Sequence, residues 1–403
     1  MLRRPVRSRL SLVGVVLTLA LATACSGDPG SDTDDTPTGG EAQQAAQKSE
    51  ATITSNIRRG ANDVDLERKL RLAVDAGTFE TVQVTGPKGA IVQGRLSSDK
   101  THWVSQTTFQ SASRYQVTST AVDSEGLENS WEQRFRTREL SLDEQTYPSI
   151  VPLDGQTVGV GMPVIIRFDV PVTDQASIEK NLKVVSQPAQ AGSFHWLSSQ
   201  EVHWRPRSFW KPGTDVTVKA DIGGVPAGDG IYGQLDRTMK FTVGDAMVSK
   251  VDMNTHQMRV FRNGKLIRTI PITTGEQPKH TTRSGTKVII EKFRHKRMNS
   301  ETVGIDPNSA DGYDLDDVEY AMRVTYSGEF VHAAPWSVGS QGSANVSHGC
   351  TGMSTENAGW FYDNSKVGDV IKYTGTDREM TLTNGFGDWT ESYADYRSGS
   401  ALS

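Results

Sequence analysis

The sequence predicts a mainly β protein: two β-sandwiches in series, then a third β-rich domain with short helices. Three observations point there. Short runs rich in Val, Thr, Ile and Tyr recur between Gly, Pro and Asp punctuation, while helical patterns are few. Leu96-Ser97-Ser98-Asp99-Lys100-Thr101-His102-Trp103 returns 101 residues later as Leu197-Ser198-Ser199-Gln200-Glu201-Val202-His203-Trp204; a repeat of that size is a whole sandwich, not a solenoid unit. A length of 403 residues leaves room for about two to four domains. The net charge of -5, with no basic tract, argues against nucleic acid as a partner.

The first 25 residues read as an export signal. Arg3, Arg4, Arg7 and Arg9 form the positive region, Leu10 to Ala22 the apolar run, and Ala22-Thr23-Ala24 the small residues before cleavage. The run is short for a bilayer span. Cys25 follows directly, so the segment resembles a bacterial lipoprotein signal whose cysteine is acylated, although Leu21 lies one place before the usual leucine position. Residues 26–50 are polar and acidic, too poor in apolar side chains to fold. They are expected to form a tether with a reach of roughly 25 to 30 Å.

The two sandwiches are expected at 51–140 and 141–245. The repeat register also aligns Tyr115-Gln116-Val117 with Val216-Thr217-Val218, and Phe135 and Phe241 fall in the closing strands. Trp103 and Trp204 read as core anchors. His102 and His203 occupy equivalent positions with no cysteine or acidic ligand set around them and read as structural or surface residues.

The third domain is expected at 246–374. Asn263-Gly264 between two strand-like runs is a strong hairpin signal. Lys287 to Lys292 reads as one strand, and Phe330-Val331 as another leading into His332. Residues 297–318 show no periodicity and read as a long loop of the kind that forms lids. Ser354 is placed as an N-cap for a short helix through Ala358, Trp360, Phe361 and Tyr362. Val367 to Tyr373 returns to strand. Residues 375–403, with Trp389, Tyr393 and Tyr396, are expected to pack on this third domain.

The chemistry centres on one thiol. With Cys25 removed or lipidated, Cys350 stands alone in an exported chain, where cysteines normally pair. A buried thiol often serves only as a small hydrophobe, but Ser347-His348-Gly349 before it and Thr351-Gly352 after it make a polar turn. A free thiol is mostly protonated near neutrality, so a neighbouring histidine is expected to hold a thiolate as an ion pair. His332 is the preferred base because it leaves a strand, whereas His348 is two residues from Cys350. The N–H groups of Gly349 and Cys350 are expected at the oxyanion.

These residues closely resemble the L,D-transpeptidases of bacterial cell walls. The family pattern is a histidine, about 14 to 17 residues, then Ser or Thr-His-Gly-Cys; fourteen residues separate His332 from Ser347. Ala334-Pro335-Trp336-Ser337, Gly387-Asp388-Trp389 and the two preceding modules, then read as immunoglobulin-like, are similar to the actinobacterial membrane-anchored members. The resemblance implies attack by Cys350 on the third, diamino-acid residue of a tetrapeptide stem, release of D-alanine, and a 3→3 peptidoglycan cross-link. It implies that the Ala333 carbonyl orients His332, that Ser347 and His348 shape the site, and that Trp336, Met298 and Tyr313 contact substrate. The family's asparagine two residues after the cysteine is Gly352 here.

The expectations that follow are a lipid anchor at Cys25, residence on the outer face of the membrane and in the wall, peptidoglycan stem peptides as partners, acylation by carbapenems, a monomer, and no cofactor. Hydrolysis of the thioester, an L,D-carboxypeptidase activity, is one alternative; a non-catalytic wall-binding lipoprotein is another. A papain-like peptidase would carry its cysteine well before its histidine. A zinc site from His332, His348 and Cys350 lacks a fourth ligand.

Overall fold

The computed structural model describes residues 48–403. The export segment, Cys25 and residues 26–47 of the expected tether lie outside the described residues.

The chain is mainly β throughout. In the first sandwich, Thr52–Ser55, Arg71–Asp75, His102–Ser105 and Gly94–Leu96 form one sheet in that spatial order, and Thr78–Thr85, Arg114–Val122 and Glu128–Arg136 the other. Strict alternation along Arg114–Val122 turns Tyr115, Val117, Ser119 and Ala121 inward, and the core closes around Leu72, Phe79, Trp103, Phe109 and Phe135. In the second, Gly192–Ser198, Glu201–Pro206, Val164–Phe168 and Pro148–Val151 share a core with Thr157–Val158, Arg237–Val243, Asp215–Ala220 and Leu182–Gln187.

The repeated octapeptide is the turn of one hairpin in each sandwich. Its tryptophan lies over a glycine of the partner strand in both copies. A Cβ on Gly94 would sit 1.9 Å from the Trp103 ring, and one on Gly192 2.2 Å from the Trp204 ring. Only glycine permits that approach.

The third domain holds two sheets. One has the order Lys265–Pro271, Gln257–Arg262, Met247–Asp252, Val370–Thr374, Gly285–Val288; the other runs Glu291–Asn299, Asp314–Arg323, Phe330–Ala333, Thr351–Met353. Asn263 and Gly264 both adopt positive φ, 49° and 81°, as a two-residue hairpin turn requires. The helix Thr355–Asn364 starts at Ser354, whose hydroxyl accepts from the Asn357 N–H at 3.2 Å.

Three expectations need correction. The single strand over 287–292 is two strands in different sheets. The apolar run serves two cores at once: Ile289 packs in the third domain, whereas Val288 and Ile290 join the core of the second sandwich. The long loop over 297–318 is shorter, because Arg297–Asn299 and Asp314–Val318 continue a β-hairpin. A bulge between Lys296 and Met298 breaks the alternation that would have revealed it. Cross-strand pairs hold the hairpin, Arg297 Nε to Asp314 at 2.9 Å and His295 to Asp317 at 2.7 Å.

The third correction concerns the tail, whose end reaches beyond the third domain. Residues 376–384 do bond to the third domain, with Met380 N–H donating to Ser284 O at 2.8 Å. From Phe386 on the tail packs on the second sandwich as well: Gly387–Trp389 still touches strand Gly285–Val288, while Trp389 Nε1 donates to Gly161 O at 2.7 Å, and Trp196 N–H to Gly399 O at 2.9 Å. His203 has the structural role expected of it, and the tail supplies one of its partners. Its buried ring bonds Asp388 of the tail at 2.8 Å through Nδ1 and Glu201 at 2.7 Å through Nε2. Tyr396 also donates to Asp388, at 2.9 Å, and Arg205 lies over the rings of Trp389 and Tyr396. Sequence could not bring residues 203 and 388 together; folding does.

Burial opposes a charge on His203, but Asp388 and Glu201 outweigh it and hold its pKa up at about 9. A folded pKa above the unfolded value of 6.5 means stability that is complete below pH 6.5 and lost as pH rises through 9. The melting temperature should therefore fall between pH 6.5 and 9.5. His203→Ala, which strands the buried Asp388 carboxylate, should cost about 3–5 kcal/mol and flatten that pH dependence; an unchanged slope in thermal melts would contradict the assignment.

Candidate active site

Two short parallel strands make the site. Val331 pairs with Thr351, His332 with Gly352 and Ala333 with Met353, so residues from the two halves of the motif become neighbours across a ladder. Cys350 immediately precedes the second strand. Thr273 bridges Gly352 from the other side and Gly275 bridges Ser347, which fixes the cysteine turn between two backbones.

The turn itself is closed by polar contacts. Ser347 Oγ donates to Cys350 O at 2.6 Å and accepts from Gly349 N–H at 3.1 Å; Thr282 Oγ1 donates to Gly349 O at 2.8 Å. Gly349 sits at φ +121°, a conformation open to glycine and strained for other residues. Its N–H, expected at the oxyanion, is thus engaged by Ser347. The serine needs an acceptor and a donor to lock the turn, and the Gly349 N–H supplies the donor.

His332 is buried, and its Nδ1 bonds Ala333 O at 2.7 Å. A carbonyl only accepts, so Nδ1 carries the proton and Nε2 is left with its lone pair. Burial lowers the pKa of His332 below the ordinary range, against the pull of the Ala333 carbonyl. Trp336 stacks on the imidazole at 5.9 Å while remaining 59% exposed. The Cys350 thiol donates to Gly328 O at 3.6 Å. Burial pushes it up to about 11, partly offset by the Phe330 N–H. Both shifts favour a neutral thiol beside a neutral imidazole over the expected thiolate–imidazolium pair, although Cys350 is only half-buried by surface area.

His332, Cys350, Trp336, Ser347, His348, Gly352, Met298 and Tyr313 all line one cavity of about 350 Å³. Met298 and Tyr313 come from the hairpin 291–323, and burial together with Cys350 raises the Tyr313 hydroxyl to about 12. A second, smaller cavity of about 180 Å³ also reaches Cys350, from the side of Gly328, Phe330 and Arg323. His348 is exposed at the rim, 5.1 Å from the Tyr313 ring and 4.5 Å from that of His280.

Behind the turn lies a charged group that sequence reasoning missed. Glu329 is buried and accepts from Arg283 Nη1 at 2.9 Å and from Lys287 Nζ, which has no exposed surface. Lys287 also lies 3.8 Å from the Tyr373 ring centre, and Tyr373 bonds Thr351 at 2.9 Å. Glu329 raises the Cys350 pKa and Lys287 lowers it. The signal was available: a lysine heading the apolar run Val288-Ile289-Ile290 must find a buried partner.

At Gly352 a Cβ would meet Ala334 Cβ at 2.9 Å and Thr273 Cγ2 at 3.1 Å. Gln341 Nε2 donates to Ala334 O at 3.0 Å nearby and fastens that turn from outside. The asparagine of the resembling family has no room here without displacement of Ala334.

A histidine on one strand and a cysteine just before its parallel neighbour thus line one cavity, and comparison with known proteins supplies the class. Residues 247–372 match the L,D-transpeptidase catalytic domain, and residues 61–226 match the bacterial Ig domain. L,D-transpeptidase 2 of Mycobacterium tuberculosis is 36% identical over 350 residues, covering 87% of this chain and 85% of its own; L,D-transpeptidase 5 of the same organism is 32% identical, covering 87% and 77%. The solved L,D-transpeptidase from Mycobacterium smegmatis aligns at 37% identity with a TM-score of 0.48, covering 57% of this chain and 99% of its own. The chain belongs to the L,D-transpeptidase family.

Two outcomes test the site. Alkylation of Cys350 by iodoacetamide should accelerate steadily from pH 7 to 10 without a plateau, as a thiol titrating near 11 requires; a plateau below pH 8 would restore the ion pair. Gly352→Asn should lower stability by about 1–3 kcal/mol through overpacking, measured by denaturant unfolding, whereas an unchanged midpoint would show that Ala334 gives way freely.

Proposed function

We propose that this protein forms 3→3 peptidoglycan cross-links by cysteine acyl transfer. The observation that carries the reading is the shared cavity of Cys350 and an Nδ1-protonated His332. The Cys350 sulfur attacks the carbonyl of the diamino-acid residue in a tetrapeptide stem while His332 Nε2 takes the thiol proton. The tetrahedral intermediate collapses as His332 returns that proton to the departing amine of D-alanine, leaving a thioester. With the Gly349 N–H engaged by Ser347, the Cys350 N–H receives the oxyanion. A side-chain amine of a second stem then attacks the thioester, His332 takes its proton, and the thiol is restored.

A neutral pair suits this cycle. A thiolate held as an ion pair is a good leaving group and favours reversal, whereas a thiol deprotonated only during attack keeps the resting enzyme uncharged in its cavity. The same attack on the strained amide of a carbapenem would open the ring and leave a stable acyl enzyme. The two cavities that meet at Cys350 fit a reaction with a donor and an acceptor peptide. Trp336, exposed and stacked on His332, supplies an apolar wall for the stem.

The same reading places the protein on the outer face of the membrane, lipid-anchored through Cys25 and acting in the wall as a monomer. The sandwiches then hold the active site away from the membrane.

Incubation of the protein with a diamino-acid tetrapeptide should give an acyl adduct on Cys350 by mass spectrometry, with D-alanine released; adding a second stem should convert the adduct to a cross-linked dimer. Cys350→Ala should abolish the adduct, and His332→Ala should slow acylation by about 10²–10⁴-fold. Release of D-alanine by Cys350→Ala would overturn the reading, and release without dimer would make the protein a carboxypeptidase.

A further inference from the structure

The structure brings together three side chains capable of ligating a metal, two of which, His280 and Asp311, have no part in the catalytic reading. His280 lies in the segment after strand Lys265–Pro271, Asp311 in the loop closing the hairpin over the cavity, and His348 in the cysteine turn. One ligand atom from each falls within 4.8 Å of the other two. His280 Nε2 is 3.8 Å from Asp311 Oδ1, and the two imidazoles are 4.5 Å apart. A zinc ion with nitrogen and oxygen ligands at about 2.0–2.2 Å in tetrahedral geometry separates them by about 3.3–3.5 Å, so small side-chain movements convert the cluster into a ligand set.

We propose that His280, Asp311 and His348 bind a divalent transition metal, zinc being the best fit, and that the bound ion ties the hairpin loop to the cysteine turn. Two imidazoles and one carboxylate suit zinc and leave a fourth position for water. The three residues come from separate segments, 31 and 37 positions apart, so no spacing motif announces them. The platform is firm. His280 N–H donates to Glu276 O at 2.7 Å, Glu276 N–H donates to Ser347 O at 2.9 Å, and the His280 carbonyl lies against Gly349. His280 and His348 are thus anchored to the same backbone, and Asp311 is the ligand carried by the loop.

Lys279 competes for the site, since its ammonium pairs with Asp311 Oδ2; the metal replaces it as the carboxylate's counter-charge. His348 and Tyr313 line the cavity that holds Cys350. A metal at His348 therefore narrows the approach to the thiol and slows acylation, a regulation that does not touch the nucleophile.

The site does not rest on the proposed acyl transfer, and its test can succeed or fail separately. Zinc ions alone should be titrated calorimetrically into the full chain carrying Cys350→Ser, which removes the competing thiol. One equivalent should bind, and His280→Ala and Asp311→Asn should each weaken binding at least about tenfold. Both positions are partly exposed, and a melting curve in the absence of metal checks that each variant folds. No stoichiometric binding, or affinity unchanged in both variants, would overturn the site. In the protein with Cys350 intact, zinc should slow formation of the acyl adduct and a chelator should reverse it. Slowing that persists in Asp311→Asn would place the inhibitory metal on the thiol and overturn the loop-tying role.

Discussion

The parallel pairing of Phe330–Ala333 with Thr351–Met353 is the constraint on which the rest depends. It is three residue pairs long. Without it, His332 and Cys350 are eighteen positions apart on a flexible connection; with it, they share a wall of one cavity. Short parallel ladders are weak in themselves, and this one is reinforced on both sides. Thr273 and Gly275 bridge the cysteine segment, Thr282 binds the Gly349 carbonyl, and the buried Glu329 with Lys287 and Arg283 supports the turn from behind. Charged groups that are buried and mutually paired specify a geometry more than they add stability.

Electrostatics then decides how the site works. Burial of the Cys350 sulfur outweighs the pull of Lys287 and Arg323 on its proton, and burial of His332 outweighs the Ala333 carbonyl, which alone would favour the imidazolium. The site is built for proton transfer during attack. The Ser347 hydroxyl adds rigidity by using the Gly349 N–H, which concentrates oxyanion stabilisation on fewer donors.

Much of this was legible in the sequence, for physical reasons that differ by element. The octapeptide repeat exposed two sandwiches because the same tryptophan-over-glycine hairpin recurs in each. Asn263-Gly264 and Ser354 announced a turn and a helix start through local chemistry. Local chemistry also singled out Cys350 and His332, and the family resemblance supplied the Ala333 carbonyl. What failed was long-range. The apolar run at 288–290 reads as one strand because sequence does not say that alternate residues serve different cores. Of the two acids that hold His203, Glu201 is local, but Asp388 arrives from the tail. Lys287 with Glu329, and His280 with Asp311 and His348, are assembled by the fold alone. The ion pair was expected from the reference chemistry of cysteine and histidine, and burial of both groups favours their neutral forms instead.

The central claim is that Cys350 is a neutral nucleophile deprotonated by His332 in the acylation step. The solvent isotope effect on carbapenem acylation, followed by stopped-flow absorbance at neutral pH, tests it most directly. A proton in flight from sulfur to Nε2 in the transition state predicts a normal effect, slower in deuterium oxide. An absent or inverse effect would mean that the thiolate already exists before attack, and would contradict the account.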